Sequence, residues 1–454
     1  MTIQTETYRI GNDTYLDHSY TVPLDRARIV PGTIDIFARE LVRDGNEKKP
    51  RLVFFQGGPG SPAPRPVPVG GWIDWLLGHY RVVLLDQRGT GASSPLEADV
   101  VTAQGDPSAQ ADYLACFRAD AIIDDAEDLR KHLQGDEPWH VLGQSFGGFI
   151  NTAYLGRAPH GLASVMITAG LPSITRHATA TYELTWESTG KRNRDMYDQF
   201  PGLHERVWDV AVHVENHDER LVTGERLSAA RLRMLGLVLG YSYGPQTLRF
   251  LFDHPFITVR GEKKLNAAFL NQVTERLSFA TNPIYGVLHE SIYSGTTPEP
   301  TAWAAHRERD NHPRFAIPGT DQSPYASEAE AREDGAEFLF SGEHVFPWQM
   351  REDPALAPMA EAADLVANRP FDKLYDLEAL ANNTVPASAW VFWDDMFVPA
   401  SLSLETADRI PGMQTILTND YHHDGLRSDG LRLLERMHGM NEQARAGMRV
   451  RNLS

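Results

Sequence analysis

Apolar and polar positions alternate along the first fifty residues of the chain. The alternation is clearest in three segments, TYRI (7–10), SYTVPL (19–24) and TIDIFAREL (33–41). A period of two places successive side chains on opposite faces of a strand. The pattern therefore predicts antiparallel strands at the start of the fold.

Short continuous apolar runs follow, and each of them ends at a glycine or a polar residue. They cover residues 52–55, 81–85, 140–142 and 164–168. Runs of this kind are typical of strands in a parallel sheet that is covered on both faces. Residues 119–132 carry apolar side chains at helical spacing, with acidic residues between them. This alternation of strands and helices predicts an α/β domain.

The pattern changes after Gly170, where a long stretch predicted to be helical or irregular begins. Strand patterns return only at residues 387–393 and 413–417, before a closing helix that carries Leu431, Leu433, Leu434 and Met437. We therefore predict one α/β core, formed by residues 1–170 and 381–454. A mostly helical insertion, residues 171–380, interrupts this core and is called the cap below. Insertions of this length often cover an active site.

The composition of the chain limits which binding partners and which cellular location we expect. The net charge of −18 argues against a nucleic-acid partner, because phosphate binding depends on clustered Lys and Arg. Such a charge favours solubility and can attract cationic ligands, such as peptides with a free amino terminus. The single cysteine excludes an internal disulfide. No signal peptide or membrane-spanning run is evident, so we predict a cytoplasmic protein and leave its oligomeric state open.

The strongest chemical signal is the sequence Gly143-Gln144-Ser145-Phe146-Gly147, which directly follows an apolar run. A G-x-S-x-G sequence between a strand and a helix is typical of the nucleophile elbow of α/β-hydrolases. The small residues on either side of the serine let neighbouring chain segments pass closely. We therefore predict the α/β-hydrolase fold, a mostly parallel sheet flanked by helices, with Ser145 as the nucleophile.

A glycine-rich turn, Gly57-Gly58-Pro59-Gly60, follows the predicted strand that ends near Phe55. In this fold the corresponding turn donates one backbone N–H of the oxyanion hole, and the residue after the nucleophile donates the other. We expect the N–H groups of Gly58 and Phe146 to fill these roles, with Gly57 as the alternative to Gly58.

The acid and the histidine of a catalytic triad follow the serine in this fold. Asp394 and Asp395 come directly after the predicted strand at 389–393, and His422 and His423 precede the closing helix. One of these acids would orient one of these histidines, which would accept the serine proton. The paired histidines lack the spacing of an HExxH zinc site, so we predict no metal and no cofactor.

These motifs resemble those of the prolyl aminopeptidases, also called proline iminopeptidases. The resemblance rests on the glycine-rich turn, on the elbow and above all on Asp86-Gln87-Arg88-Gly89-Thr90-Gly91-Ala92-Ser93. It extends to the cap segments 282–293 and 340–348 and covers nearly the whole chain. It implies a serine peptidase that removes an N-terminal proline from small peptides. Gln56 stands where the shorter-chain relatives usually have histidine, which points to the longer-chain branch with a large cap.

The resemblance also implies roles for individual residues. Asp395 precedes a proline by four positions and matches the family's acid, and His423 matches its histidine. Glu290 and Glu343 fall in matching cap segments and become candidates for holding the substrate's amino terminus. Cap aromatics could wall a small proline pocket, or they could be ordinary core residues, and these are Tyr285, Tyr293 and Trp348, with Phe146 beside them.

Two other functions compete with this prediction. The elbow by itself fits an esterase or amidase that acts on a small non-peptide acyl substrate equally well, because one fold hosts many chemistries. A binding protein that has kept a hydrolase pocket is disfavoured, because candidates for serine, acid and histidine all occur in the expected order.

Overall fold

The computed structural model describes residues 3–447, so positions 1–2 and 448–454 of the predicted core lie outside the described range. A nine-stranded sheet in the order β1-β2-β3-β5-β4-β6-β7-β10-β11 forms its centre, and β8 and β9 form a separate pair. The strands are β1 (Ile3–Ile10), β2 (Asp13–Pro23), β3 (Thr33–Arg43), β4 (Arg51–Phe55), β5 (Arg81–Asp86), β6 (Trp139–Gln144), β7 (Leu162–Thr168), β8 (Phe256–Val259), β9 (Glu262–Leu265), β10 (Ala387–Phe392) and β11 (Met413–Thr418).

The sheet contains the two kinds of pairing that the hydrophobic patterns predict. Strands β1, β2 and β3 pair antiparallel, as their alternating sequences indicate. Strand β5 pairs antiparallel with β3, and from there the remaining pairs are parallel. The predictions of antiparallel opening strands and of a mostly parallel sheet are confirmed.

Helices surround the sheet and build the region between β7 and β10. They are α1 (Gly71–Leu77), α2 (Ala98–Thr102), α3 (Pro107–Ala115), α4 (Ala119–Gln134), α5 (Phe146–Arg157), α6 (Ala178–Gln199), α7 (Leu203–Asn216), α8 (Ala229–Arg233), α9 (Gly244–Leu251), α10 (Ala267–Leu277), α11 (Pro283–Leu288), α12 (Ala304–Glu308), α13 (Glu328–Glu333), α14 (Pro347–Glu352), α15 (Ala360–Ala367), α16 (Leu377–Ala381), α17 (Ala400–Asp408) and α18 (Gly425–Arg445). In the range 3–447 no helix is both long and apolar enough to cross a membrane.

Both faces of the parallel strands are buried, which explains their continuous apolar sequences. In β4, Leu52 and Phe54 belong to the cluster that includes α1 and α18. The alternate residues Val53 and Phe55 belong to a larger cluster with α4, α5 and the cap. Because neighbouring side chains of a strand face opposite sides of the sheet, each residue of such a run needs an apolar side chain.

One element of the cap departs from the predicted helical pattern. Strands β8 and β9 form an antiparallel hairpin around Arg260-Gly261. Each strand has only four residues, and all but the two end residues Phe256 and Leu265 are exposed. Strands this short and this exposed lack the apolar alternation by which a strand is recognised in a sequence.

Candidate active site

Ser145 lies at the sharp turn between β6 and α5. Its backbone angles, φ 55° and ψ −126°, fall in a region that residues other than glycine rarely adopt. The Ser145 N–H donates to the Thr168 carbonyl at 3.0 Å, and the Ser145 carbonyl accepts from Gly148 N–H at 2.7 Å. These bonds hold a strained turn that places the hydroxyl at the carboxyl edge of the sheet.

The glycines around Ser145 are required by close contacts between chain segments. A Cβ atom added to Gly147 would overlap with the carbonyl oxygen of Phe55, and one added to Gly143 would overlap with the carbonyl of Gly147. A Cβ atom on Gly148 would overlap with the carbonyl oxygen of Gly170. There is therefore no space for a side chain two positions before the serine or two and three positions after it, as a nucleophile elbow requires.

The turn 57–60 lies directly against the elbow. A side chain on Gly57 would approach the Ser145 Cβ within 2.8 Å, and Gly58 has φ 126°, which favours glycine. Both glycines line the same cavity as Ser145. Phe146 is the first residue of α5, so its N–H has no acceptor within the helix. Gly58 thus lines the cavity together with Ser145, and Phe146 directly follows Ser145 in the chain, although the Phe146 ring does not line the cavity.

Hydrogen bonds from two directions hold this turn. From the core, Gln87 Nε2 donates to the Gln56 carbonyl at 2.8 Å. From the cap, Asn282 Nδ2 donates to the Pro59 carbonyl at 3.3 Å. The cap residue Ile284 also lies so close to Gly60 and Gly89 that a Cβ atom on either glycine would clash with it. The turn is therefore held between the core and the cap by contacts with both.

Asp395 follows β10, and His423 lies between β11 and α18. His423 Nδ1 lies 2.9 Å from Asp395 Oδ2 and 3.1 Å from Oδ1. Asp395 Oδ1 also accepts the N–H groups of Phe397 and Val398, at 2.8 and 3.1 Å. The carboxylate is thereby fixed toward the imidazole. The adjacent residues His422 and Asp394 form no such side-chain pair, since His422 Nδ1 lies 3.4 Å from the backbone carbonyl oxygen of Asp394.

His423 is buried and its surroundings favour the protonated ring. Burial lowers the pKa of His423, but the charge and hydrogen bond of Asp395, together with the nearby Glu343, more than offset this, so the pKa is raised. The backbone N–H of His423 donates to the Gly240 carbonyl of the cap at 3.1 Å. Within residues 3–447 the ring makes no hydrogen bond with Ser145, although both residues line the same cavity.

The cavity above Ser145 has a volume of about 380 Å³. The core contributes Trp72, Gln144 and the turn 57–58 to its walls, and the cap contributes Leu237, Tyr241, Tyr285 and Glu343. Asp424, Leu426 and Arg427 follow His423 at its edge. Tyr241 and Trp72 were not predicted as site residues, because no motif or period marks either position.

Glu343 is the carboxylate of the cap that faces the cavity. Tyr285 OH donates to Glu343 Oε1 at 2.7 Å, and this neutral hydroxyl is the hydrogen-bond partner of the carboxylate among the described residues. Burial raises the pKa of Glu343 to about 7, against the opposing effects of His423 and Tyr285. An acid in this setting gains from a cationic partner, and the cavity has room for one.

Glu290 is placed differently from the expectation that it holds the substrate amine. Its Oε1 accepts the N–H of Ala304 at 2.7 Å and its Oε2 accepts that of Ala305 at 3.3 Å. Both oxygens therefore bind the start of α12, where N–H groups lack partners. Glu290 does not line the cavity, and neither do the rings of Tyr293 and Trp348, while Tyr285 does.

The Asp86–Ser93 segment has a structural role beside the site. Arg88 forms a two-pronged ion pair with Asp125, with both nitrogen–oxygen distances at 2.7 Å. Asp86 instead accepts the N–H groups of Ala63 and Ala92, at 3.0 and 2.8 Å. Arg88 therefore pairs with an acid outside this segment and not with Asp86.

This chain is similar to known proteins over most of its length. A family model described as the alpha/beta hydrolase fold matches residues 50–218. The chain is 40% identical to a proline iminopeptidase from Aeromonas sobria, over 93% of this chain and 96% of that protein. It is 29% identical to the proline iminopeptidase aneH of Aspergillus aculeatus, over 93% and 92% of the two chains. A solved proline iminopeptidase structure from Mycobacterium smegmatis aligns with a TM-score of 0.43 at 15% identity, covering 94% and 99% of the two chains.

Proposed function

Because this chain belongs to the proline iminopeptidase family of α/β-hydrolases, we propose that it releases an N-terminal proline from peptides through a Ser145 acyl-enzyme. Its similarity to the Aeromonas sobria protein over almost the full length of both chains supports this substrate class. Ser145, His423 and Asp395 would form the catalytic triad. The cap, residues 171–380, would bind the substrate amine and the proline ring.

The proposed reaction has two halves. In the first, Ser145 Oγ attacks the proline carbonyl carbon while His423 accepts the hydroxyl proton. The negative charge on the carbonyl oxygen is stabilised by the N–H groups of Gly58 and Phe146. His423 then donates its proton to the leaving nitrogen, and the C–N bond breaks. In the second half, His423 takes a proton from the water that attacks the acyl-enzyme and returns it to Ser145 Oγ as the ester bond breaks, which releases free proline.

The observation that carries the peptidase proposal is the position of Glu343. It is an acid of the cap in the Ser145 cavity whose protein partner is a neutral tyrosine. A secondary ammonium ion at the substrate's amino terminus would provide the missing cation and form a charge-assisted hydrogen bond. An esterase acting on a neutral acyl group would have no use for this buried charge, whose desolvation is costly.

The proposal can be tested with proline 4-nitroanilide, its N-acetylated form and alanine 4-nitroanilide. We expect turnover of the proline substrate with a free amine, weaker turnover of the alanine substrate and none of the blocked one. Rapid cleavage of the blocked anilide, or of simple esters alone, would support the esterase or amidase alternative. That outcome would keep the fold and discard the peptidase assignment.

Replacing Glu343 by glutamine should weaken recognition of the amine while nearly preserving the shape of the site. We expect kcat/KM for proline 4-nitroanilide to fall about 10- to 100-fold, since a hydrogen bond to a charged group contributes about 1.5–3 kcal/mol. The ratio of this kcat/KM to that for 4-nitrophenyl acetate should fall as well, because the ester has no amine. Glu361→Gln, on the exposed side of α15, is the matched control. An unchanged ratio in Glu343→Gln would remove Glu343 from amine binding.

The pH dependence of kcat/KM should depend on the same pair of groups. Glu343, with a pKa raised to about 7, acts as the anion, and His423, with a raised pKa, acts as the neutral base. Both active forms are lost as the pH falls, so kcat/KM should decrease below about pH 7. A plot of log kcat/KM against pH should reach a limiting slope of about two, because two protons are bound. In Glu343→Gln the slope should approach one, and the limb should move to lower pH because the neighbouring anion that raises the His423 pKa is gone. An unchanged limb would contradict this coupling.

A further inference from the structure

Glu343 lies in a segment of the cap without regular secondary structure. Residues 336–346, between α13 and α14, form neither helix nor strand. A hydrogen bond weakens steeply when its distance or angle departs from the ideal, so a carboxylate that receives a substrate ammonium needs a defined position. Because no helix or strand fixes the backbone at Glu343, side-chain contacts must hold it in place.

The next residue, His344, ties this segment to α6. Gly342 N–H donates to His344 Nδ1 at 3.1 Å, so the ring bridges the backbone on the two sides of Glu343. His344 Nε2 lies 3.0 Å from Thr185 Oγ1. Because Nδ1 is an acceptor, the proton of the neutral ring is on Nε2 and is donated to Thr185. The Thr185 hydroxyl in turn donates to the Tyr182 carbonyl at 3.2 Å.

Packing holds the plane of the His344 ring. His344 is 4% exposed, and its ring stacks on that of Trp186 with the centroids 3.7 Å apart and an angle of 17° between the planes. Trp186 Nε1 is held in turn by the Ala305 carbonyl, at 3.1 Å. Burial lowers the pKa of His344 well below its ordinary value, so the ring stays neutral and keeps one acceptor and one donor nitrogen.

The backbone before Glu343 is also closely packed. A Cβ atom added to Gly342 would lie 2.5 Å from Thr189 Oγ1 of α6 and 3.2 Å from His344 Cε1. It would also lie 3.3 Å from the side chain of Met396, the residue after Asp395 in the core. The backbone at Gly342 therefore fits tightly between α6, the His344 ring and the loop that carries the acid of the proposed triad.

We propose that His344 is a positioning residue for amine recognition, which holds the Glu343 carboxylate in place through its bonds to Gly342 and Thr185. This inference rests on the proposed role of Glu343 in releasing an N-terminal proline. His344 does not line the cavity, so it would act through Glu343 and not on the substrate itself. An ordinary core aromatic residue would need only the stacking on Trp186 and would make no use of the two ring nitrogens.

Two substitutions of His344 separate these roles. His344→Phe keeps an aromatic ring against Trp186 and removes both hydrogen bonds, whereas His344→Asn gives up the stacking but can place its oxygen near the position of Nδ1. The readout is the ratio of kcat/KM for proline 4-nitroanilide to that for 4-nitrophenyl acetate, which has no amine. We expect this ratio to fall about 2- to 10-fold in His344→Phe, as for loss of neutral hydrogen bonds, and to recover in His344→Asn. Thermal stability should follow the opposite order.

A matched control lies in the same segment of the cap. His204 Nε2 accepts the N–H of Phe338 at 3.1 Å, which is also a bond from this segment to a histidine ring. Phe338 is five residues before Glu343, and neither His204 nor Phe338 lines the cavity. His204→Phe should therefore keep the wild-type ratio, because it removes a similar bond away from the carboxylate.

Two further comparisons test whether His344 acts through Glu343. In the Glu343→Gln background, adding His344→Phe should lower the ratio no further, because residues that act as a unit have non-additive effects. Thr185→Val removes the hydroxyl that His344 bonds, and Thr185→Ser keeps it. The ratio should fall in Thr185→Val and stay near that of the wild type in Thr185→Ser.

The outcomes separate this inference from the proposed function. An unchanged ratio in His344→Phe, no recovery in His344→Asn, an equal fall in His204→Phe or a further fall in the Glu343→Gln background would each overturn the role of His344. If His344→Phe does not fold, equal ratios in Thr185→Val and Thr185→Ser would overturn it. The proposed function fails separately, if the wild type does not cleave proline 4-nitroanilide or if Glu343→Gln leaves the ratio unchanged.

Discussion

Replacing Ser145 by alanine is expected to lower kcat for proline 4-nitroanilide by at least about 10⁴-fold, and up to about 10⁶-fold. The hydroxyl is the group that would form the acyl-enzyme, and no other hydroxyl stands at the turn between β6 and α5 in the described chain. Loss of one oxygen atom leaves the close contacts of the surrounding glycines unchanged. The variant should therefore fold and bind substrate but not turn it over.

Two measurements make this prediction specific. Thermal unfolding of Ser145→Ala should match that of Ser401→Ala, an exposed control in α17 that keeps full activity. A serine-directed fluorophosphonate should label the wild type and the control but not Ser145→Ala. Peptidase activity retained in Ser145→Ala, with labelling elsewhere, would show that another residue is the nucleophile.

Replacing Asp395 by asparagine is expected to lower kcat by about 10⁴-fold. The carboxylate lies 2.9 Å from His423 Nδ1 and would hold the ring in the tautomer that presents Nε2 to Ser145. An amide can still accept the N–H groups of Phe397 and Val398, so the loop should keep its shape. It can donate a hydrogen bond to Nδ1, however, which favours the wrong tautomer, and it cannot stabilise the imidazolium ion.

The neighbouring acid supplies the control for this experiment. Asp394 has a side chain that is 34% exposed and lies 3.8 Å from Lys191, outside the cavity. Asp394→Asn should keep activity within a few-fold of the wild type. If Asp394→Asn lost activity while Asp395→Asn did not, the assignment of the acid would be reversed. The pair of variants thus separates two adjacent residues that composition and order alone cannot distinguish.

The core of the fold could be predicted because its physical constraints act locally along the chain. A strand buried on both faces needs an apolar residue at every position, as Leu52 and Val53 illustrate, and such a run is visible in the sequence. The elbow is visible for a similar reason. Gly147 touches the backbone of Phe55, a contact that excludes every side chain, so the required residue type is unambiguous.

The cap could be predicted less fully because the role of its polar residues depends on long-range packing. Glu290 and Glu343 look equivalent in the sequence, yet Glu290 binds the start of a helix fourteen residues later in the chain. Tyr241 reaches the cavity because the segment before it packs against Phe397, across the boundary between cap and core. No periodicity in the sequence reports contacts of this kind.

The contacts of the cap residues Asn282 and Ile284 with the turn 57–60 bear on how this enzyme could be re-engineered. Exchanging the cap with that of a relative is an obvious route to a new substrate range, but here the seam between the two parts includes the turn that would stabilise the oxyanion. A chimera that replaced Ile284 with a bulkier residue would press on Gly60 and Gly89, and one without Asn282 would release the Pro59 carbonyl. A chimera should therefore take the 282–284 segment, Gly60 and Gly89 from the same parent protein.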